Sequence, residues 1–280
     1  MNSKTSQERA KLWRLSHLRN LELLHATYIT QSFSRHTHDG FAIGVIEQGA
    51  LGFFYRGENV VASPGSINLC NPGEAHNGHA AAERGWVYRM FYLDTHLLQQ
   101  AASEVAGRSR DIPFFQTGVI HDNELARWLH RLHCGLEQLD TPTLEQESRL
   151  LWTLAQMVLR HADDRPCLRP VGCEHESVKW VRDYIQENYA DNLSLDQLAK
   201  VAYLSPFHLI RVFSNEVGIP PHAYLTQVRI QRAKAFLARG WPIVQVAAAA
   251  GFVDQSHLTR HFKRNVGVTP GQYRNFIQDH

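Results

Sequence analysis

No run of about 18 apolar residues occurs in this chain, so no helix is expected to cross a membrane. No Cys-x-x-Cys pair occurs either. The four cysteines, Cys70, Cys134, Cys167 and Cys173, therefore lack the spacing of a zinc site or a disulfide frame, and free thiols in a reducing cytoplasm are expected. The segment from Met1 to Lys11 is polar and charged with no apolar core, which argues against a secretory signal. Charge of one sign is also missing: 29 Lys+Arg stand against 27 Asp+Glu, a net of +2. What remains is globular in character. Of 280 residues, 44% are hydrophobic and 20% charged, which excludes wholesale disorder and allows one large domain or two ordinary ones.

The charge is unevenly placed. Asp163-Asp164-Arg165-Pro166 to Pro170-Val171-Gly172 reads as a linker. Split after Cys173, the first part has 17 basic and 18 acidic residues, and the second 12 and 9. An excess of +3 is a hint of a polyanion partner, and Arg260, Lys263 and Arg264 crowd into one short segment of that part. On charge alone a solvated helix face is an equal reading.

Residues 22–95 read as β structure. Runs such as Phe41 to Ile46 and Val87 to Leu93 are short and apolar, and Gly49, Gly52, Gly57, Pro64-Gly65 and Pro72-Gly73 punctuate them. Many short strands without a helical pattern between them suggest a sandwich or barrel. Two amphipathic helices follow, Asp122 to Leu139 and Leu144 to His161. Thr143 and Gln146 have capping-box spacing for the second. Its stripe, Leu144, Leu151, Leu154 and Val158, fits either packing on its own domain or a dimer seam.

The C-terminal part contains a doubled unit. Leu209/Leu258, Arg211/Arg260, Phe213/Phe262, Gly218/Gly267 and Tyr224/Tyr273 each lie 49 residues apart. Each copy reads as helix-turn-helix. A short helix with a small residue, Ala199 or Ala247, precedes a turn, Tyr203-Leu204-Ser205 or Gly251-Phe252-Val253, where Gly251 can take a left-handed conformation. Ser205, followed by Pro206, and Asp254 are expected to cap the second helices. Those helices keep Leu209, Phe213, Leu258 and Phe262 for the core. The expected outward faces are Phe207, His208, Ile210 and Arg211 in one copy and Gln255, Ser256, His257, Thr259 and Arg260 in the other. Arg and Gln pair with purine edges in the major groove, and Lys263 and Arg264 can hold phosphates. The stretch Tyr224 to Arg239 reads as a helix that spaces the two heads.

Residues 178–276 resemble the DNA-binding domain of AraC/XylS-type transcriptional regulators. The resemblance rests on Ala247-x3-Gly251-Phe252-x-Asp254-x-Ser256-x-Leu258-x-Arg260-x-Phe262-Lys263-Arg264-x2-Gly267-x-Thr269-Pro270-x2-Tyr273-Arg274. It implies that Phe207, Ile210 and Arg211, with Gln255, Ser256, Thr259 and Arg260, reach bases. The segments His36-Thr37-His38 and Pro72 to His76 resemble the cupin-like sensor domain of the same family. The implied architecture is α+β: a cupin-like β-barrel with dimerisation helices (1–165), a linker (166–175), and an all-α domain with two helix-turn-helix units (176–280). By the same resemblance a small-molecule effector sits among His36, His38, His76, Tyr88 and Met90. Arg89 would join them, and favour a carboxylate ligand, only if a bulge turned it inward.

The implied protein is not an enzyme and takes no cofactor and no metal. Its partners are double-stranded DNA, the effector, a second copy of itself as a homodimer, and RNA polymerase, all in the cytoplasm with no membrane. A cupin metalloenzyme fused to a helical domain is the rival, with His36, His38, Glu47 and His76 as ligands. Against it, Glu47 lies nine positions after His38, and an odd spacing points to the opposite face of a strand. A helical protein-interaction adaptor is the third reading.

Overall fold

The computed structural model describes residues 8–138, 140–165 and 174–278, with side chains of the last stretch as far as 275. Cys167, Cys173 and most of the expected linker lie outside the described residues. Contacts divide the chain into two units: one holds the residues up to Glu137 together with the segment that begins at Leu150 and runs through His161 and just beyond, and the other holds Gln138–Arg149 with the C-terminal helices.

The first unit begins one strand earlier than the sequence pattern suggests, at β1 (Arg9–Leu15). It continues through β2 (Leu21–Tyr28), β3 (Ser32–His36), β4 (Phe41–Gly49), β5 (Leu51–Tyr55), β6 (Glu58–Ala62), β7 (Ile67–Cys70), β8 (His76–Ala80) and β9 (Trp86–Leu93). Helix α1 (Thr95–Ala106), the short β10 (Val119–Ile120), α2 (Asn123–Glu137) and, from Leu150, α3 (Thr143–His161) follow. All pairing is antiparallel, in a six-stranded sheet of order β1-β2-β9-β4-β7-β10 and a four-stranded sheet of order β3-β8-β5-β6.

The six-stranded sheet is buried on both faces, which is why its central strands read as nearly continuous apolar runs. Alternate residues go to opposite sides. Phe41, Ile43, Val45, Phe91 and Leu93 face a core shared with Leu98 of α1, Leu125, Leu129 and Leu132 of α2, and Leu150, Leu154, Met157 and Val158 of α3. Ala42, Ile46, Trp86, Tyr88 and Met90 face Leu51, Phe53 and Tyr55 of the other sheet. The leucine stripe of α3 is thus spent on its own sheet from Leu150 onward.

Asp122 caps α2, its Oδ1 accepting from the N–H groups of Glu124 (3.1 Å) and Leu125 (2.9 Å), while Oδ2 meets Arg160 and His161 of α3. The Thr143/Gln146 capping box does not form. The helix starts a residue earlier than that box requires: the Pro142 carbonyl accepts from Glu145 and Gln146, and the Gln146 side chain donates to the Thr141 carbonyl.

The second unit contains α4 (His175–Glu187), α5 (Leu195–Ala202), α6 (Pro206–Val217), α7 (Pro221–Ala238), α8 (Ile243–Ala249), α9 (Gln255–Val266) and α10 (Pro270–Gln278). The doubling is explicit: α5-α6 and α8-α9 are the two helix-turn-helix units, and α7 stands between them. Ser194 and Gln197 form a reciprocal capping box on α5, a Ser-x-x-Gln signature legible in the sequence. Arg229 of α7 is buried, donating to the carbonyls of Tyr189 (2.7 Å) and Asp191 (2.8 Å); burial lowers its pKa to about 10.

Candidate functional sites: a histidine-lined cavity and a basic helix face

The cavity lies between the two sheets, with a volume of about 70 Å³, room for a few water-sized groups. His36, His38, His76, Tyr88 and Met90 line it, as do Phe33, Asn68, Cys70 and Tyr92. His36 ends β3 and pairs across the ladder with His76, the first residue of β8. His38 lies just past β3, and its carbonyl accepts from the Gly73 N–H (2.8 Å), which fastens that loop to the Pro72-Gly73 turn. The rings converge, with centroids 4.4 Å apart for His36/His76, 4.9 Å for His36/His38 and 5.0 Å for His38/His76. Burial and the neighbouring imidazoles lower His38 to about 4; burial also lowers His76, although its bond to a backbone carbonyl opposes this.

Arg89 is elsewhere. No bulge turns it inward: the irregularity in the β4–β9 register falls at Glu47, between Ile46 and Gln48. Arg89 keeps the face opposite Tyr88 and Met90. There its Nε donates to Glu47 (2.6 Å), and its Nη1 donates to Glu137 (2.8 Å) and to His133 Nδ1 (3.1 Å). His133 is fully buried, and its Nε2–H donates to the Met90 carbonyl (3.3 Å). Burial and the adjacent guanidinium lower His133 to about 3. Burial raises the Glu47 carboxyl, but Arg89, His130 and His25 outweigh it and hold the group below its usual range. The bonds from Lys11 and Arg89 bring Glu137 to about 2. Arg89 is therefore a structural anchor between β9, β4 and α2, and Glu47 is bound into the same network. The four-ligand set His36, His38, Glu47 and His76 does not assemble; only the three histidines do.

The sequence reading missed Asn68 and Cys70. A polar Asn in the fully buried strand Ile67–Cys70 was the available signal. Burial pushes the Cys70 thiol up to about 12.

On the helical unit, Gln255, Ser256, Thr259, Arg260, Lys263 and Arg264 line one open groove on α9. Asp254 caps α9, its Oδ1 accepting from the His257 N–H (2.7 Å). Gly251 has φ +78°, and a Cβ there would sit 2.8 Å from the Ala190 Cα. His257 is a correction: it is buried, not outward. Its Nδ1 accepts from the Val253 N–H (3.3 Å) and its ring packs on Phe252 and His261, so it closes the turn. Arg260 carries an ion pair with Asp140, in the turn before α3.

Two more corrections fall on α6. Phe207 and Ile210 are buried with Leu209, Val212 and Phe213, because this helix turns five of its twelve residues to the core where α9 turns three. His208 is mostly buried and bonds Glu174 (2.8 Å). Arg211 is partly exposed, its guanidinium 5.9 Å from the Phe207 ring centre. Ser205 occupies the N-cap position of α6, but its hydroxyl makes no capping bond; Pro206 at the first helical position removes one donor that would need it.

Both parts of the chain have relatives among known proteins. A profile of the AraC-like ligand binding domain matches residues 20–155, and one of a helix-turn-helix domain matches residues 198–275. The HTH-type transcriptional regulator YbfI of Bacillus subtilis is 31% identical over 230 residues, 82% of this chain and 82% of its own length. The lactose operon transcription activator of Staphylococcus xylosus is 20% identical over 234 residues, again 82% of each chain. Among solved structures, the C-terminal domain of AraT, a response regulator from Geobacillus stearothermophilus, is 32% identical, covering 36% of this chain and 84% of that one with a TM-score of 0.35.

Proposed function

Because this chain belongs to the AraC family of transcriptional regulators, we propose that α9 is its principal base-reading element and that the histidine-lined cavity receives its effector. The protein is a DNA-binding transcriptional regulator with a ligand-binding domain. The observation that carries the finer reading is the α9 groove. Gln255, Ser256, Thr259 and Arg260 are the base-reading candidates there, with Lys263 and Arg264 as phosphate contacts. On α6 only Arg211, with His208 at its margin, remains for that work. His36, His38, His76, Tyr88 and Met90 are the effector contacts.

An effector would change how two protomers present their paired heads, which requires different affinity in two states. A homodimer, RNA polymerase as a further partner and action in the cytoplasm complete the proposal, with the family resemblance as their support. Sedimentation of the chain with and without operator DNA tests the dimer.

The deciding experiment selects bound fragments from random DNA and then compares wild type with Arg260→Ala. The expected result is a loss of roughly 5- to 150-fold, about 1–3 kcal/mol, confined to operators with the preferred base at one position. Equal weakening on every DNA would make Arg260 a phosphate contact and overturn its reading role.

A further inference from the structure

We propose that His36, His38 and His76 form a three-imidazole site for a divalent transition-metal ion of the zinc class, with an open coordination position facing the cavity. His36 Nδ1 lies 2.8 Å from the Ser34 carbonyl and His76 Nδ1 lies 3.0 Å from the Glu74 carbonyl. A carbonyl only accepts, so both Nδ1 atoms carry a proton, and in the neutral tautomer that a metal ion binds the lone pair is on Nε2. Backbone carbonyls on the far nitrogen are the usual support of metal-bound imidazoles.

One ligand atom from each of the three rings lies within 4.8 Å of the others. A tetrahedral ion with Zn–N bonds of about 2.0–2.1 Å needs its nitrogens about 3.4 Å apart. Small side-chain rotations close that difference, and the ladder pair His36/His76 already holds two of the rings in register. A set of three imidazoles, with no thiolate or carboxylate among the ligands, suits Zn, Ni, Cu or Fe rather than Mg or Ca.

A second, independent feature points to an occupant. Asn68 lines the same cavity, is 4% exposed, and its Oδ1 has no hydrogen-bond partner. A buried orphan acceptor is costly unless something donates to it. A water or hydroxyl-bearing molecule in the cavity would donate there, and the fourth coordination position takes such a group. The site would thus bind a small oxygen- or nitrogen-donor effector through the ion. That last step rests on the effector reading above; the metal site itself does not.

The test uses the full-length chain with its affinity tag removed. Dialysis against micromolar Zn²⁺, followed by elemental analysis, should give about one ion per chain, and Co²⁺ should give visible absorption bands of a tetrahedral centre. Zn²⁺ should also raise the unfolding temperature. His38→Ala and His36→Gln should each weaken binding at least tenfold and abolish the thermal shift. His130→Ala, on the outer face beside Glu47, should change neither. Circular dichroism and operator binding of the variants report whether they fold. Absence of stoichiometric metal, or binding that survives His38→Ala but not His130→Ala, overturns the site. Operator binding by wild type under the same conditions keeps that failure distinct from failure of the regulator reading.

Discussion

Arg89 shows how much a single residue's role depends on which face of a strand it takes. Alternation along β9 puts it opposite Tyr88 and Met90, and the structure keeps that alternation. Its guanidinium is 10% exposed and holds two carboxylates, Glu47 and Glu137. Removing it takes away the buried guanidinium the two carboxylates share, so Arg89→Ala should destabilise the first unit by about 3 kcal/mol, read as a lower urea midpoint. The acid dependence has a definite sign. Glu47 and Glu137 have depressed pKa values in the folded state, so their contribution is present above the ordinary carboxylate range. It is lost as pH falls toward about 2, the Glu137 value. Arg260 poses the opposite question, since Asp140 already occupies it. In the base-reading role proposed for Arg260, DNA displaces that carboxylate. Asp140→Ala should therefore strengthen operator binding roughly two- to fivefold, in keeping with an exposed ion pair, with fluorescence anisotropy as the readout.

At the scale of elements, the two helix-turn-helix units differ in ways the repeat conceals. The 49-residue spacing, the turn at Gly251 and the Asp254 cap were all legible, because each depends on local chemistry. Phe207, Ile210 and His257 were misplaced because helical periodicity locates the buried stripe but not its width. That width is set by how many neighbours pack on the helix, a tertiary quantity. The cavity was partly legible for a similar reason. His36 and His76 belong to recognisable segments, whereas Asn68 enters through sheet order. The two turns also differ. Tyr203 holds a left-handed conformation at φ 54° without being glycine, and it is 86% exposed, so its side chain has room. Gly251 has neither freedom, since a Cβ would meet the backbone of Tyr189 and Ala190. Gly251→Ala should cost at least about 2 kcal/mol in thermal unfolding, and Tyr203→Gly should be close to neutral.

For the whole molecule, the proposed division of labour rests on chemistry in two places: imidazoles and phenols around a cavity in one unit, and exposed Arg and Lys on one helix face in the other. Binding through such a face releases counterions. Operator affinity should fall at least about tenfold between 50 and 200 mM salt, as two phosphate contacts by Lys263 and Arg264 alone would give; a flat titration would remove the polyanion partner. Within the sensing unit, β9 serves two neighbours at once. Its Met90 side chain forms part of the cavity wall, and the Met90 carbonyl is where His133 of α2 hangs. A guest that nudges this strand by a fraction of an ångström tugs on the hook as well as the wall. Under the proposed effector reading the sheet is less a partition than a lever, with the guest's cavity at one end and α2 at the other.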